Sequence, residues 1–185
     1  ILTSAPLSNI GLVDISVSKP ETFIQAASKG REYIGRDGNR KSFPIKQEKQ
    51  QKLDDLNQRL NVLTQEAKYK KFTLIGSGLQ FKFGQTTIAR QDIAKSIPEP
   101  ESEAFKKILE DLVAEIDPNQ GFFRIEDTGK DIEIILTVES DADGELKDFD
   151  KGNGVLFLND DCQLDIAQGP CLICGDTKSD VPMIT

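Results

Sequence analysis

The chain contains no histidine and no tryptophan, one methionine, two tyrosines and three cysteines in 185 residues. The absence of His removes the side chain that ordinarily titrates near neutrality, the commonest general base. With no Trp and a hydrophobic fraction of 37%, the core is expected to be thin. No apolar run approaches the roughly 18 residues of a membrane-spanning helix, and no charged-then-apolar leader is present. An odd number of cysteines argues against a disulfide framework and for a reducing, cytoplasmic setting. No nucleophile–base set stands out, so the sequence reads as non-catalytic. The chain opens on Ile1 and stops shortly after half of a metal motif, so a fragment of a longer polypeptide is expected.

What is present is unevenly spread. Residues 1–98 carry 16 Lys/Arg against 9 Asp/Glu, a net +7; residues 99–185 carry 7 against 22, a net −15; the two give the whole-chain −8. The sign changes at Ile97-Pro98-Glu99-Pro100, a stiff break. The chain is therefore read as a mildly basic region, 1–97, and an acidic region, 98–185. A basic front half is compatible with a nucleic-acid face on that side.

Residues 9–17 read as a strand and Glu21 to Lys29 as a short helix closed by Gly30. From Lys29 to Lys52 eight cations outnumber three acids, Tyr33 and Phe43 are interleaved, and Gly35, Asp37-Gly38-Asn39 and Pro44 punctuate the stretch. This predicts a loop suited to phosphates and stacked bases, with Arg31, Tyr33, Arg36, Arg40 and Lys41 as candidate nucleic-acid-binding residues. A plain solvated loop is an equal alternative. Leu53, Leu56, Leu60 and Leu63 recur at +3, +4, +3 and predict a helix from Lys46 to about Lys70. Phe72–Ile75 and Leu79–Phe83 read as two strands around Gly76-Ser77-Gly78. A second helix is expected behind Ser102 as N-cap, with Phe105, Ile108, Leu109, Leu112, Val113 and Ile116 as its stripe. Phe122–Ile125, Ile132–Val138 and Val155–Leu158 read as further strands. Glu139, Asp141, Asp143, Gly144 and Asp150 fall on a calcium-loop spacing, but with the wrong residue types at both ends and strands as flanks. A hairpin turn is the stronger reading, and a metal-dependent nuclease on Glu139, Asp141 and Asp143 the weaker.

The chemically specific stretch is Gly169-Pro170-Cys171-Leu172-Ile173-Cys174-Gly175. Two thiols at this spacing, followed by Gly, form half of a tetrahedral zinc site. Cys171 and Cys174 are the candidate ligands of a structural zinc whose other ligands lie outside this segment; Cys162 is either a third ligand or the end of a strand. The fold class expected is α+β, antiparallel strands or hairpins with two main helices and a half zinc knuckle at the C-terminal end. Strand order does not follow from the pattern.

The order of features resembles the N-terminal part of the large subunit of type I-B CRISPR interference (Cascade) complexes. The residues that carry the resemblance are Tyr33, Arg36, Gly38 and Arg40 in the basic loop, the Leu136–Val138 strand before an Asp-Gly turn, and Cys171, Cys174 and Gly175. The resemblance implies a non-catalytic, DNA- and RNA-binding subunit of an antiviral surveillance complex. Its partners would be crRNA, target DNA and the other subunits, and it would contribute to recognition of the protospacer-adjacent motif. A protein-interaction module with structural zinc is the alternative.

Overall fold

A computed structural model describes residues 1–8, 22–139, 145–175 and 178–184. The strand expected at 9–17 and the acidic residues Asp141 and Asp143 lie outside the described residues. The chain divides into two compact units, Ile1–Pro44 with Phe149–Thr185, and Ile45–Asp148. Both mix helices with antiparallel sheets, so the α+β class holds. Among the described residues, no helix is long and apolar enough to cross a membrane.

The unit Ile45–Asp148 begins with α1 (Gln47–Leu63), whose Leu53, Leu56 and Leu60 are buried as their spacing predicts. Helix α2 (Glu99–Ile116) starts three residues before the expected Ser102 cap. Pro100 sits in the first turn, where a missing N–H costs nothing, and Glu99 and Glu101 face the positive end of the helix dipole. Ser102 is instead buried, its hydroxyl donating to the Arg90 carbonyl oxygen at 2.9 Å and accepting from the Arg90 guanidinium at 2.9 Å. After α2, Asp117 accepts hydrogen bonds from the backbone N–H groups of Gly121, Phe122 and Phe123, which aims the chain into the next strand.

The sheet of this unit has the order β4-β5-β7-β6, all neighbours antiparallel. Its strands are β4 (Leu79–Lys82), β5 (Gln85–Ala89), β6 (Phe123–Asp127) and β7 (Asp131–Leu136). The register sets Ile88 opposite Ile132 and Thr86 opposite Ile134. Ile88, Ile132, Ile134, Leu136 and Phe123 share a core with the leucines of α1 and with Phe105, Leu109, Val113 and Ile116 of α2. Strand alternation therefore turns Lys82, Gln85, Thr87 and Glu133 to the other, polar face. The stretch expected as a strand at Phe72–Ile75 is a 3-10 turn, Lys70–Thr73. Phe72 stacks on Phe105 with ring centroids 3.8 Å apart, and the positive φ angles of Gly76 (47°) and Gly78 (62°) then redirect the chain into β4.

The other unit carries the sheet β1-β2-β3, with β1 at Gln25–Ala27, β2 at Glu32–Ile34 and β3 at Arg40–Ser42. The expected helix Glu21–Lys29 is thus replaced by β1 and a 3-10 turn, Ser28–Gly30. The expected basic loop is an antiparallel hairpin. Its turn is held by the Gly35 N–H on the Asn39 carbonyl at 2.9 Å and the Gly38 N–H on the Gly35 carbonyl at 3.0 Å. The run Val155–Leu158, read as a strand, lies in the middle of helix α3 (Lys151–Cys162). Ala26, Tyr33 and Leu158 form the core of this unit, flanked by Leu2, Ile24, Phe157 and Cys162.

Candidate functional site

Helix α3 opens on a capping box. The Asp150 carboxylate accepts from the Asn153 N–H at 2.9 Å, and the Asn153 side-chain oxygen accepts from the Asp150 N–H at 3.3 Å. This fixes the first turn despite two glycines in it, and it places Lys151 at the first helical position. The Lys151 ammonium is ion-paired to Asp180, which lies in the 3-10 segment Lys178–Met183; both side chains are only 11% exposed. A nearly buried ammonium is costly without a paired carboxylate, and Asp180 supplies one.

Three glycines let backbone close around this pair. A Cβ on Gly152 would collide with the Pro182 carbonyl oxygen, and one on Gly175 would collide with the side chain of Asp180, 2.7 Å from its Cγ. A Cβ on Gly154 would collide with the Lys29 carbonyl oxygen and sit 2.9 Å from the Gly30 Cα. The resulting constellation is a semi-buried cation at a helix N-terminus, braced by a carboxylate. Its chemistry is that of taking up negative charge on an anionic group.

The residues singled out from sequence fall elsewhere. Arg31 is buried, its guanidinium 4.5 Å from the centroid of the Phe149 ring. Tyr33 is buried and donates its hydroxyl to Asp161; burial first, and that bond second, push its pKa up. Lys41 pairs with the same Asp161 at 3.1 Å, and Arg40 with the buried Glu32 at 2.6 Å. Arg36 is exposed on the hairpin turn. The hairpin therefore spends most of these charges and rings inside its own unit. Cys171 and Cys174 are exposed free thiols, and Cys162 ends α3 rather than a strand. Among the described residues no group of three or more His, Cys, Asp or Glu is placed to hold a metal ion, so the half zinc knuckle and its structural zinc are corrected. Glu139 is taken up by Lys46, which leaves the nuclease reading without a centre among the described residues. In the unit Ile45–Asp148, a cavity of about 540 Å³ runs between α1 and α2, lined by Val62, Leu63, Ile108 and Leu112 with acidic neighbours. Its charged lining is Asp55, Glu66, Asp111, Glu115 and Arg59.

Over residues 1–185 the chain matches a family model described as trehalose-6-phosphate phosphatase, C-terminal. The chain belongs to that family. It is 37% identical over 185 residues to alpha,alpha-trehalose-phosphate synthase (UDP-forming) 1 of Aphelenchoides avenae, covering all of this chain and 16% of that protein. It is 28% identical over 192 residues to a trehalose-phosphatase of Caenorhabditis elegans, covering 41% of it, and 29% identical over 198 residues to one of Brugia malayi, covering 37%. The chain thus spans about one sixth of the synthases and about two fifths of the phosphatases that it matches. A solved structure of Plasmodium falciparum IMP-nucleotidase aligns over 86% of this chain and 37% of its own, at 13% identity, with a TM-score of 0.37.

Membership of this family overturns the resemblance to a CRISPR large subunit, and with it the non-catalytic reading and the crRNA, target-DNA and surveillance-complex partners. The alternatives fall with it, as the relatives are metabolic enzymes by name. The resemblance rested on Cys-x-x-Cys-Gly and a basic stretch, both of which recur in unrelated proteins. Lys151 and Asp180 are not among the residues that the sequence pattern marks. The signals are Asp150-Lys151-Gly152-Asn153-Gly154 as a cap, and Asp180 five residues beyond the Gly175 that follows the two thiols.

Proposed function

We propose that this chain is part of a phosphatase that hydrolyses the phosphate ester of trehalose 6-phosphate, and that the Lys151–Asp180 pair belongs to its phosphate-handling site. The observation that carries this reading is a nearly buried ammonium, fixed by a capping box, in a chain whose whole length falls in the trehalose-6-phosphate phosphatase family. Phosphoryl transfer asks mainly for positioned positive charge around the transferring oxygens. Lys151 supplies a positive charge held at the start of α3. Asp180 orients it until a phosphate arrives, and the phosphate then shares or takes over the hydrogen bonds of the ammonium. Because the ammonium is shielded from water, its attraction for phosphoryl oxygens is stronger than that of a surface lysine. The three free cysteines fit a cytoplasmic setting for this reaction.

The test is phosphate release from trehalose 6-phosphate by the full polypeptide and its Lys151→Met variant. Losing one such charge is expected to lower kcat by about 10²-fold or more. Unchanged turnover in the variant would remove Lys151 from the site. A second reading is favoured by the names of the relatives at 37% identity, which are synthases. In it, this region binds the phosphorylated sugar without hydrolysing it. Calorimetric binding of trehalose 6-phosphate with no phosphate release would select that reading.

A further inference from the structure

The turn that leads from β1 into β2 carries three consecutive residues in the left-handed region: Ser28 at φ 52°, Lys29 at 62° and Gly30 at 90°. Gly30 adopts such an angle freely; Ser28 and Lys29 do not, and single residues held there cost about 1 kcal/mol or more each. Such a turn persists only where its surroundings dictate it. Here they do so on one side through backbone, with the Ser28 N–H on the Ala5 carbonyl at 2.8 Å and the Lys29 N–H on the Thr3 carbonyl at 2.9 Å. On the other side the Glu32 side chain holds it.

Glu32 is 2% exposed and accepts at both oxygens. One oxygen takes the Ser28 hydroxyl at 2.8 Å and the Leu7 N–H at 3.2 Å; the other takes the Arg40 guanidinium at 2.6 Å. The strained turn so held is the surface on which the first turn of α3 rests. A Cβ on Gly30 would lie 2.6 Å from the Gly154 Cα, and one on Gly154 would collide with the Lys29 carbonyl oxygen. Backbone therefore touches backbone, with no side chain between to absorb a shift. Gly154 is three residues from Lys151 in the same helical turn.

We infer that Glu32 is a positioning residue for Lys151: by fixing the left-handed Ser28–Gly30 turn, it sets the height and direction at which α3 presents the ammonium to a bound phosphate. This rests on the assignment of Lys151 to the phosphate-handling site. A displacement of a fraction of an ångström at Lys29–Gly30 passes directly into the helix start. A misplacement of about 1 Å at a reacting group can cost about 10²-fold in rate.

The experiment compares Glu32→Gln, Ser28→Ala, the double variant, Tyr33→Phe and Lys151→Met in the full polypeptide, reading kcat, KM and thermal midpoint with trehalose 6-phosphate. Glu32→Gln keeps the shape but loses the charge and one acceptor; Ser28→Ala removes the hydroxyl that Glu32 holds. Each is expected to lower kcat about tenfold. The double variant is expected to lower it no further than the worse single one, since both break the same link. Tyr33→Phe, one position along the same strand, loses a hydrogen bond to Asp161 and should lower the midpoint while leaving kcat unchanged. If Lys151→Met abolishes turnover but Glu32→Gln and Ser28→Ala change only the midpoint, the inference is wrong and the site assignment stands. If Lys151→Met leaves turnover intact, the site assignment fails and the inference goes with it. Should Glu32→Gln not fold, Ser28→Ala alone decides.

Discussion

Replacing Gly154 by Ala separates what helix propensity predicts from what the packing of α3 requires. In an exposed helix interior the change is favourable by about 1 kcal/mol, because Gly surrenders more backbone entropy than Ala. At Gly154 the added methyl has nowhere to go. It meets the Lys29 carbonyl oxygen, the Gly30 Cα at 2.9 Å and the Lys29 carbonyl carbon at 3.0 Å, all of them backbone. Relief must come from moving α3 or the Ser28–Gly30 turn as a body, and overpacking of this kind costs about 1–3 kcal/mol, occasionally more. A second penalty follows if the displaced turn loses the Ser28–Glu32 hydrogen bond of 2.8 Å, worth about 1.5–3 kcal/mol as a bond to a charged acceptor. Set against the propensity gain, the net is a loss of about 2 kcal/mol. In a chain of this size that is a fall of about 4–8 °C in the midpoint of the transition that unfolds the helix. The assay is thermal melting followed by circular dichroism, with urea denaturation to obtain the free energy directly. The sign decides the matter: an unchanged or raised midpoint for Gly154→Ala would show that α3 does not rest on Lys29–Gly30.

Three other outcomes test the remainder of the fold. Phe105, 1% exposed and stacked between Phe72 and Tyr69, should cost about 3–5 kcal/mol as Phe105→Ala in urea denaturation. Asp127 is pushed up by burial but more than compensated by hydrogen bonds from Lys106, the Gly129 N–H and Arg90, so its carboxyl sits below the ordinary range. A carboxylate lowered on folding adds stability that is present above about pH 4 and lost as the pH falls through its folded value. Asp127→Asn should therefore cost about 2 kcal/mol at pH 7 and progressively less in acid, as followed by melting from pH 7 to pH 2.5. Asp131 behaves oppositely: burial raises its pKa, and although Ser77 donates to one oxygen at 3.0 Å, the other is buried without a partner. Its penalty is absent below about pH 4 and grows as the pH rises through the raised value, so Asp131→Asn should raise stability at pH 7 by about 1 kcal/mol and change little at pH 3.

The parts of the fold that were legible in the sequence are those where one physical signal dominates. The +3, +4 leucine spacing of α1, the six-residue apolar stripe of α2 and the nearly continuous apolar β7 each required a single kind of burial, and each formed. The hairpin of β2 and β3 was hidden because its charged residues resemble a solvated loop. Its pairing is stabilised by partners more than a hundred residues away, as Lys41 and Tyr33 meet Asp161. Helix α3 runs against its own local signals. Val155-Leu156-Phe157-Leu158 has strand character, and Gly152 and Gly154 weaken any helix, so local preference points away from the observed state. What overrides it is the capping box of Asp150 and Asn153 together with two backbone contacts that only glycine permits, to Lys29 and to Pro182. Those glycines disfavour the helix in isolation and allow it in the fold. A conflict between local preference and final structure tends to mark the place where a protein does something other than fold. Here it falls on the turn that carries Lys151. The Cys-x-x-Cys pair drew attention because its spacing carries chemistry on its face. Lys151, the third residue of the segment Phe149–Thr185, carries no such spacing. Its meaning comes from Asp180, twenty-nine residues on, and a contact of that span is visible only once the chain has folded.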